Sequence, residues 1–125
     1  MGILEILDWQ WSSYGVAHRS RANLLIHIVA VPLFMAGSLA AVAAFIWLSL
    51  AWAVAGVGAM VLSLALQGRG HKGEVTAPAP FSSPANAVAR IFLEQWINFP
   101  RFVLTGRWFR AWASAADPAY SNGSS

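Results

Sequence analysis

Uncharged, mainly apolar residues form one long block near the middle of the chain, with polar residues on both sides of it. Residues 22–66 contain no Asp, Glu, Lys or Arg. One helix of that length would extend about 68 Å, more than twice the ~30 Å hydrocarbon core of a bilayer. Backbone groups in lipid must be satisfied within the segment. The block therefore predicts a transmembrane hairpin over about 22–66 that turns near residues 47–52.

The segment before this block mixes apolar and acidic positions. It places Glu5 and Asp8 among isoleucines, leucines and the tryptophans Trp9 and Trp11. Because it lacks a basic start before its apolar residues, we do not expect a signal peptide. The pattern favours an amphipathic helix that lies at the membrane interface, with the tryptophans as anchors.

The segment after the block begins with several glycines and prolines, which predict a loop over 67–83. Ser83 followed by proline is a typical helix start, so a third helix is expected over about 84–105. Its charged residues favour a position along the interface or dipping into the membrane. A short interfacial helix is predicted over 107–116, and a disordered tail over 117–125.

Composition agrees with this all-α class, an integral membrane helical hairpin plus interfacial amphipathic helices in one domain over 1–116. The chain has 125 residues, of which 58% are hydrophobic and 10% charged, whereas soluble domains carry roughly 25% charged residues. The absence of cysteine excludes disulfides, zinc–thiolate sites, iron–sulfur clusters and cysteine nucleophiles. Any chemistry must therefore use His, Asp, Glu, Tyr or the backbone.

The charged residues suggest both a partner and an orientation. Eight Lys and Arg face five Asp and Glu, but they are sparse and form no run, which argues against nucleic acid and favours membrane lipid as the partner. A hairpin returns the chain to its starting side, so all eight basic residues share one face. The positive-inside rule makes that face cytoplasmic, in a bacterial inner membrane or the endoplasmic reticulum, with both termini there.

Three histidines are the main candidates for chemistry. His27 lies inside the uncharged block, where a polar side chain is costly and marks a functional site, or else a structural hydrogen bond between helices. His18 is nine residues earlier, on the opposite face of any continuous helix. A break with Ser20 as N-cap removes this conflict. The hairpin returns His71 and Glu74 to the same end, so all three histidines can meet at shallow depth on the cytoplasmic side.

Several motifs resemble those of a known family when taken in order. They are Tyr14-x3-His18-x4-Asn23-x3-His27, then Pro32, Gln67-x2-Gly70-His71-x2-Glu74-x3-Pro78-Ala79, Glu94-Gln95-Trp96 and Phe99-Pro100-Arg101-Phe102. Over roughly 14–106 the chain is similar to small membrane proteins whose characterised fungal member is an endoplasmic-reticulum 2-hydroxy fatty acid dioxygenase of lipid alpha-oxidation.

The resemblance implies an Fe(II)-dependent enzyme that uses dioxygen to shorten 2-hydroxy fatty acids by one carbon. It also implies His18, His27 and His71 as the metal ligands. Fungal members usually place the motif acid four residues after the histidine, whereas Glu74 is three after His71. Glu74 is therefore a ligand, a partner of a ligand histidine or a surface acid. Tyr14 and Asn23 are candidates to contact a ligand or the substrate hydroxyl.

Arginine recognises carboxylates with two parallel hydrogen bonds, so four arginines are candidates to hold the substrate head group. They are Arg19, Arg21, Arg69 and Arg101. Arg90 and Glu94, one turn apart on the third helix, are expected to form an ordinary surface pair.

Two other functions remain open. Three histidines with an open fourth position also describe catalytic zinc, so zinc could replace iron in a lipid hydrolase that needs no oxygen. The protein could instead be a non-enzymatic membrane scaffold with structural histidines. Trp108, Phe109 and Trp112 would then dock another protein. A scaffold should carry no stoichiometric metal.

Overall fold

The computed structural model describes residues 2–115, and this part of the chain is helical without any strand. The helices are α1 (Ile3–Ser13), α2 (Arg21–Trp47), α3 (Leu50–Lys72), α4 (Pro84–Leu93), α5 (Phe99–Leu104) and α6 (Arg107–Ala115), with a 3₁₀ turn (Tyr14–Ala17) and a π-helical turn (Glu94–Asn98). The all-α prediction is confirmed. The predicted disordered tail, 117–125, lies outside the described residues.

Helices α2 and α3 lie antiparallel along their whole length. A Cβ on Gly56 would come within 2.7 Å of the Gly37 carbonyl oxygen, and Ser63 donates a hydrogen bond to the carbonyl of Ala30. The missing side chains therefore let the two backbones touch. Leu48, in the left-handed conformation at φ 49°, and one further residue make the turn between them. Both helices are long and apolar enough to cross a membrane.

Helix α3 continues to Lys72, six residues beyond the predicted end of the hairpin at 66. The prediction of a loop over 67–83 is therefore wrong for its first six residues. Gly70 does not end the helix; it packs against α2, where a Cβ would overlap the Asn23 side-chain oxygen. Arg69 and Lys72 in the last turn also interact favourably with the helix dipole. As a result, His71 sits on a helix rather than on a loop.

The predicted third helix is present as α4 and α5, joined by the π-helical turn. Ser83 caps its start, as the sequence predicts, by accepting a hydrogen bond from the Asn86 amide. The wider turn comes just before Pro100, which has no amide hydrogen for the preceding turn. Gln67 of α3 and Gln95 of the π-helical turn exchange two side-chain hydrogen bonds of 2.8 Å. This buried pair fixes the π-helical turn against one end of the α2–α3 pair. That end, the open end, carries the start of α2 and the last turns of α3 and lies away from the turn at Leu48.

Candidate metal centre

Three imidazole rings from separate parts of the chain meet at the open end of α2 and α3. His18 follows the 3₁₀ turn, His27 lies in the second turn of α2, and His71 lies in the last turn of α3. Their ring centroids are 4.7, 4.8 and 4.8 Å apart, with the rings nearly perpendicular to one another. His18 and His27 are 2% and 0% exposed. The break at Ser20, whose side chain caps α2, lets His18 and His27 share one site.

The backbone fixes which nitrogen two of these rings present. Nδ1 of His18 lies 2.7 Å from the Tyr14 carbonyl oxygen, and Nδ1 of His27 lies 2.9 Å from that of Asn23. A carbonyl only accepts, so each Nδ1 carries the proton and each Nε2 keeps its lone pair. Both Nε2 atoms and Nδ1 of His71 are buried without a hydrogen-bond partner among residues 2–115. This is how metal-ligating histidines are held.

Glu94 completes the cluster. One ligand atom from each of His18, His27, His71 and Glu94 can be chosen so that all four lie within 4.8 Å of one another. A Glu94 oxygen is 3.9 Å from Nε2 of His18, and Gln95 donates a 3.1 Å hydrogen bond to the other oxygen. Three imidazoles and one carboxylate could bind a metal ion, and the set suits Fe(II) or zinc.

Burial sets the charge of the groups that line this site. It lowers the pKa of His18 well below its usual range, and the neighbouring His27 and His71 act in the same direction. His18 is therefore neutral at pH 7. Burial also raises the pKa of Glu94 to about 7. A carboxylate held at its own titration point gives up its proton readily when a cation arrives.

Glu74 lies beside the cluster rather than in it. Its carboxylate accepts hydrogen bonds from the backbone amides of Arg19, at 2.7 Å, and Ser20, and from the Asn23 side chain at 3.2 Å. It therefore satisfies the backbone amides just before α2 and holds the segment that carries His18. The Glu74 carboxylate makes no hydrogen bond to a histidine side chain among residues 2–115, so its contact with the cluster runs through the backbone next to His18 and through Asn23.

The expectation of a surface pair between Arg90 and Glu94 is wrong. Arg90 is 8% exposed and donates hydrogen bonds to the carbonyls of Ala79, at 2.8 Å, and Pro80, at 3.0 Å. Its guanidinium also lies over the rings of Trp9 and Phe81. Spacing on a helix could not show that α1 and residues 79–81 cover this face. The sequence feature that could have indicated Glu94 as a member of the cluster is its place in the Glu94-Gln95-Trp96 motif.

Tyr14 and Asn23 both contact the histidine segments. The Tyr14 ring stacks on His18 at 4.0 Å between centroids, and its buried hydroxyl lies beside the Glu94 carboxylate. Burial, followed by the negative charge of Glu94, raises the pKa of Tyr14 well above its usual range, so the phenol keeps its proton. Asn23 donates to the Ala17 carbonyl and to Glu74. It therefore positions residues beside the cluster.

The four arginines predicted to hold the substrate carboxylate lie elsewhere. Arg21 stacks on Trp112 at 4.3 Å, and Arg101 stacks on Trp11 at 4.0 Å. Arg69 is exposed, and Arg19 lines a separate pocket of about 270 Å³. None of the four lines the cavity that adjoins the cluster. An arginine count could not distinguish guanidiniums already stacked on tryptophans from those facing a cavity.

This cavity, of about 780 Å³, adjoins one side of the cluster. Its lining includes Tyr14, His18, His71 and Glu94, but not His27. Most of the remaining wall is apolar and comes from α1, the end of α3, residues 76–81 and α4. An ion held by the cluster would thus have protein on one side and an apolar chamber on the other. The chain matches no protein-family model, no curated protein and no solved structure.

Proposed function

We propose that this protein is an Fe(II)-dependent dioxygenase that shortens 2-hydroxy fatty acids by one carbon at the cytoplasmic face of a membrane. One observation carries the proposal: three buried imidazole nitrogens without hydrogen-bond partners face one another beside the Glu94 carboxylate. The ordered motifs that resemble the dioxygenase family supply the reaction type. The apolar cavity beside the cluster supplies room for an acyl substrate.

The residues present fit a metal of this kind. A buried nitrogen left without a partner costs about 1–3 kcal/mol, and a cation at the cluster would remove that cost for His18, His27 and His71. Glu94 would supply the one anionic ligand. When bound, Fe(II) would supply the activation of dioxygen and a positive charge that attracts the substrate carboxylate. The chain's own residues would bind the substrate and supply the proton donor beside it.

Tyr14 supplies a proton donor on the cavity side of the cluster. The raised pKa of Tyr14 keeps its phenol protonated, so the hydroxyl is a donor for an oxygen of the bound substrate. The His18 ring lies against the Tyr14 ring and restricts where the phenol can point. A substrate oxygen held by this donor would have one orientation, so the reacting carbon would be positioned without a random encounter. The apolar wall excludes water from the same space.

A membrane location is supported by the surfaces of α2 and α3. In the most apolar 18 residues of each helix, only 28% of α2 and 17% of α3 are buried. Such a large exposed apolar surface needs lipid or another protein to cover it. Arg19, Arg21, Arg69 and Lys72 all belong to the end of this pair that carries the cluster. The positive-inside rule therefore favours the cytoplasmic side for the metal centre.

The test is metal analysis of anaerobically purified protein, followed by addition of 2-hydroxypalmitate and then oxygen. We expect about one iron per chain, oxygen uptake that depends on the substrate, and a fatty acid one carbon shorter by mass spectrometry. Turnover without oxygen would instead indicate a zinc hydrolase. Protein without stoichiometric metal, whose stability is unchanged by a chelator, would indicate a scaffold. Either result overturns the proposal.

A further inference from the structure

The cavity beside the cluster has the form of a site for one particular kind of molecule. We infer that it binds a single acyl chain that runs past Gly68 on α3, with its carboxylate between the cluster and Lys72. The inference rests on the proposed function for the identity of the acid as a 2-hydroxy acid. The binding site itself follows from the walls of the cavity, its charges and its open space.

The walls favour an alkyl chain. A volume of about 780 Å³ lies within the usual range for sites that enclose small molecules. Trp9, Leu64, Phe81 and Ile91 line it from different elements. The transfer of each methylene from water to such a surface is favourable. A substrate that enters from lipid would therefore keep an apolar environment along its chain.

The charges orient that chain. Lys72 and Arg90 are the two basic residues among those that line the cavity. Arg90 is already held by two carbonyl oxygens and two aromatic rings. Lys72, the only lysine of the chain, follows His71 directly and forms no ion pair with residues 2–115. An anionic head group is therefore best neutralised at the Lys72 end, which is also the end occupied by the cluster.

Gly68 keeps this space open. It lines the cavity, and a Cβ built on it meets nothing within 4 Å. Gly58, ten residues earlier on α3, also has open space at its Cβ position but does not line the cavity. Both glycines lie within a helix, where a larger residue is better tolerated by the backbone than glycine. The pair provides a test variant and a matched control on one helix.

The experiment uses a 2-hydroxy fatty acid with a diazirine in the middle of its chain, added to the full-length protein in lipid nanodiscs. After irradiation, the labelled residues are mapped by mass spectrometry with and without excess 2-hydroxypalmitate. Labelling of the outer faces of α2 and α3 reflects lipid partitioning and should resist competition. Labelling of residues 76–81 and Ile91 should be abolished by the competitor.

Gly68→Phe should reduce this competable labelling at least tenfold, because the ring occupies the path of the chain. Gly58→Phe should leave it unchanged. Helix content and metal content are measured for both variants, and Gly68→Leu replaces Gly68→Phe if the latter does not fold. Equal labelling in the Gly68 and Gly58 variants, or competable labelling only outside the cavity, overturns the inference.

A second pair of variants tests the head group. Lys72→Met should weaken competition by the acid about threefold, in the range of an exposed ion pair, without changing competition by its methyl ester. Lys72→Arg should restore the acid preference, and Arg69→Met, on the same helix outside the cavity, should match wild type. Equal loss for acid and ester contradicts the assigned orientation. Cavity labelling without oxygen uptake refutes the dioxygenase alone, and oxygen uptake with labelling elsewhere refutes the acyl site alone.

Discussion

The two ends of the α2–α3 pair are built from the same uncharged block but use it in opposite ways. At the closed end, where the chain turns at Leu48, Phe45 is 83% exposed and Leu50 is 79% exposed. The glycines between the helices bring the backbones together there. At the open end, Asn23, His27 and Gln67 are buried. Apolar side chains point outward at one end, and polar side chains point inward at the other.

Under the proposed function, this difference separates membrane anchoring from chemistry. Apolar surface at the closed end needs only a lipid environment, and small residues there need only a close neighbour. Polar groups inside an apolar helix pair must find partners within the protein or in a bound ligand. Gln67 finds one in Gln95, whereas His18, His27 and His71 keep nitrogens without partners. Function should therefore respond to substitutions at the open end and stability to those at the closed end.

The largest effect is expected for His27→Ala. This ring is fully buried and presents Nε2 to the other three groups, so its loss removes a ligand that nothing nearby can replace. We expect stoichiometric metal to fall to background while the protein stays in the membrane fraction with wild-type helix content. Metal analysis and circular dichroism of purified protein check this outcome.

Ser38→Ala is the matched control on the same helix. Ser38 accepts a hydrogen bond from the Trp96 indole and is not part of the cluster. Its replacement should leave the metal content at the wild-type level. Full metal content in His27→Ala would show that the metal is held elsewhere.

Glu94→Gln should have the next largest effect. Loss of the single anionic ligand should weaken metal binding by at least the roughly 10- to 100-fold that removal of a ligand's hydrogen-bonding partner costs. The wild type should also show a pH dependence that the variant lacks. Since burial raises the pKa of Glu94 to about 7, its proton must leave before the carboxylate can bind a cation. Apparent affinity should therefore fall about tenfold from pH 8 to pH 6.

Competition with a fluorescent chelator across this pH range measures both effects. The same fall in affinity in wild type and Glu94→Gln would assign the proton to another group. The burial of His18 keeps its pKa well below the usual range, so this imidazole does not produce a step near neutral pH.

The sequence predicts the closed end better than the open end because hydropathy depends on each residue alone. The uncharged block and the turn near residues 47–52 required no knowledge of packing. The three histidines could also be grouped, because the break at Ser20 and the return of the chain are local features. The choice between Glu74 and Glu94 required the path of α4 and the π-helical turn, which spacing along the chain does not contain.

The arginines show the same limit of prediction from local sequence. A guanidinium stacked on an aromatic ring and one facing a cavity have the same local sequence pattern. Arg101 is committed to Trp11, and Arg90 is committed to Trp9 and Phe81. Only the docking of α1 against the rest of the molecule decides these partners. Long-range contacts of this kind decide which side chains line the cavity beside the cluster.

Gly56→Leu tests the closed end. A Cβ there would lie 2.6 Å from the Ala41 backbone nitrogen, so the helices must separate. We expect a loss of about 1–3 kcal/mol in the free energy of unfolding, with metal retained in the folded fraction. Gly58→Leu, where the added Cβ meets nothing within 4 Å, is the control. Unfolding in mixed detergent measures the difference, and equal stability of the two variants would contradict the close backbone contact.

The smallest effect is expected for Glu74→Gln, which separates the two acids. The glutamine retains an oxygen that can accept from the Arg19 and Ser20 amides but loses the charge at the start of α2. We expect about 0.5–1 kcal/mol less stability, the range of a charge at a helix N-terminus. Metal affinity should change less than threefold, in contrast to Glu94→Gln. Should Glu74→Gln instead lose metal as completely as His27→Ala, then Glu74 is a ligand and the fourth position of the cluster is assigned to the wrong acid.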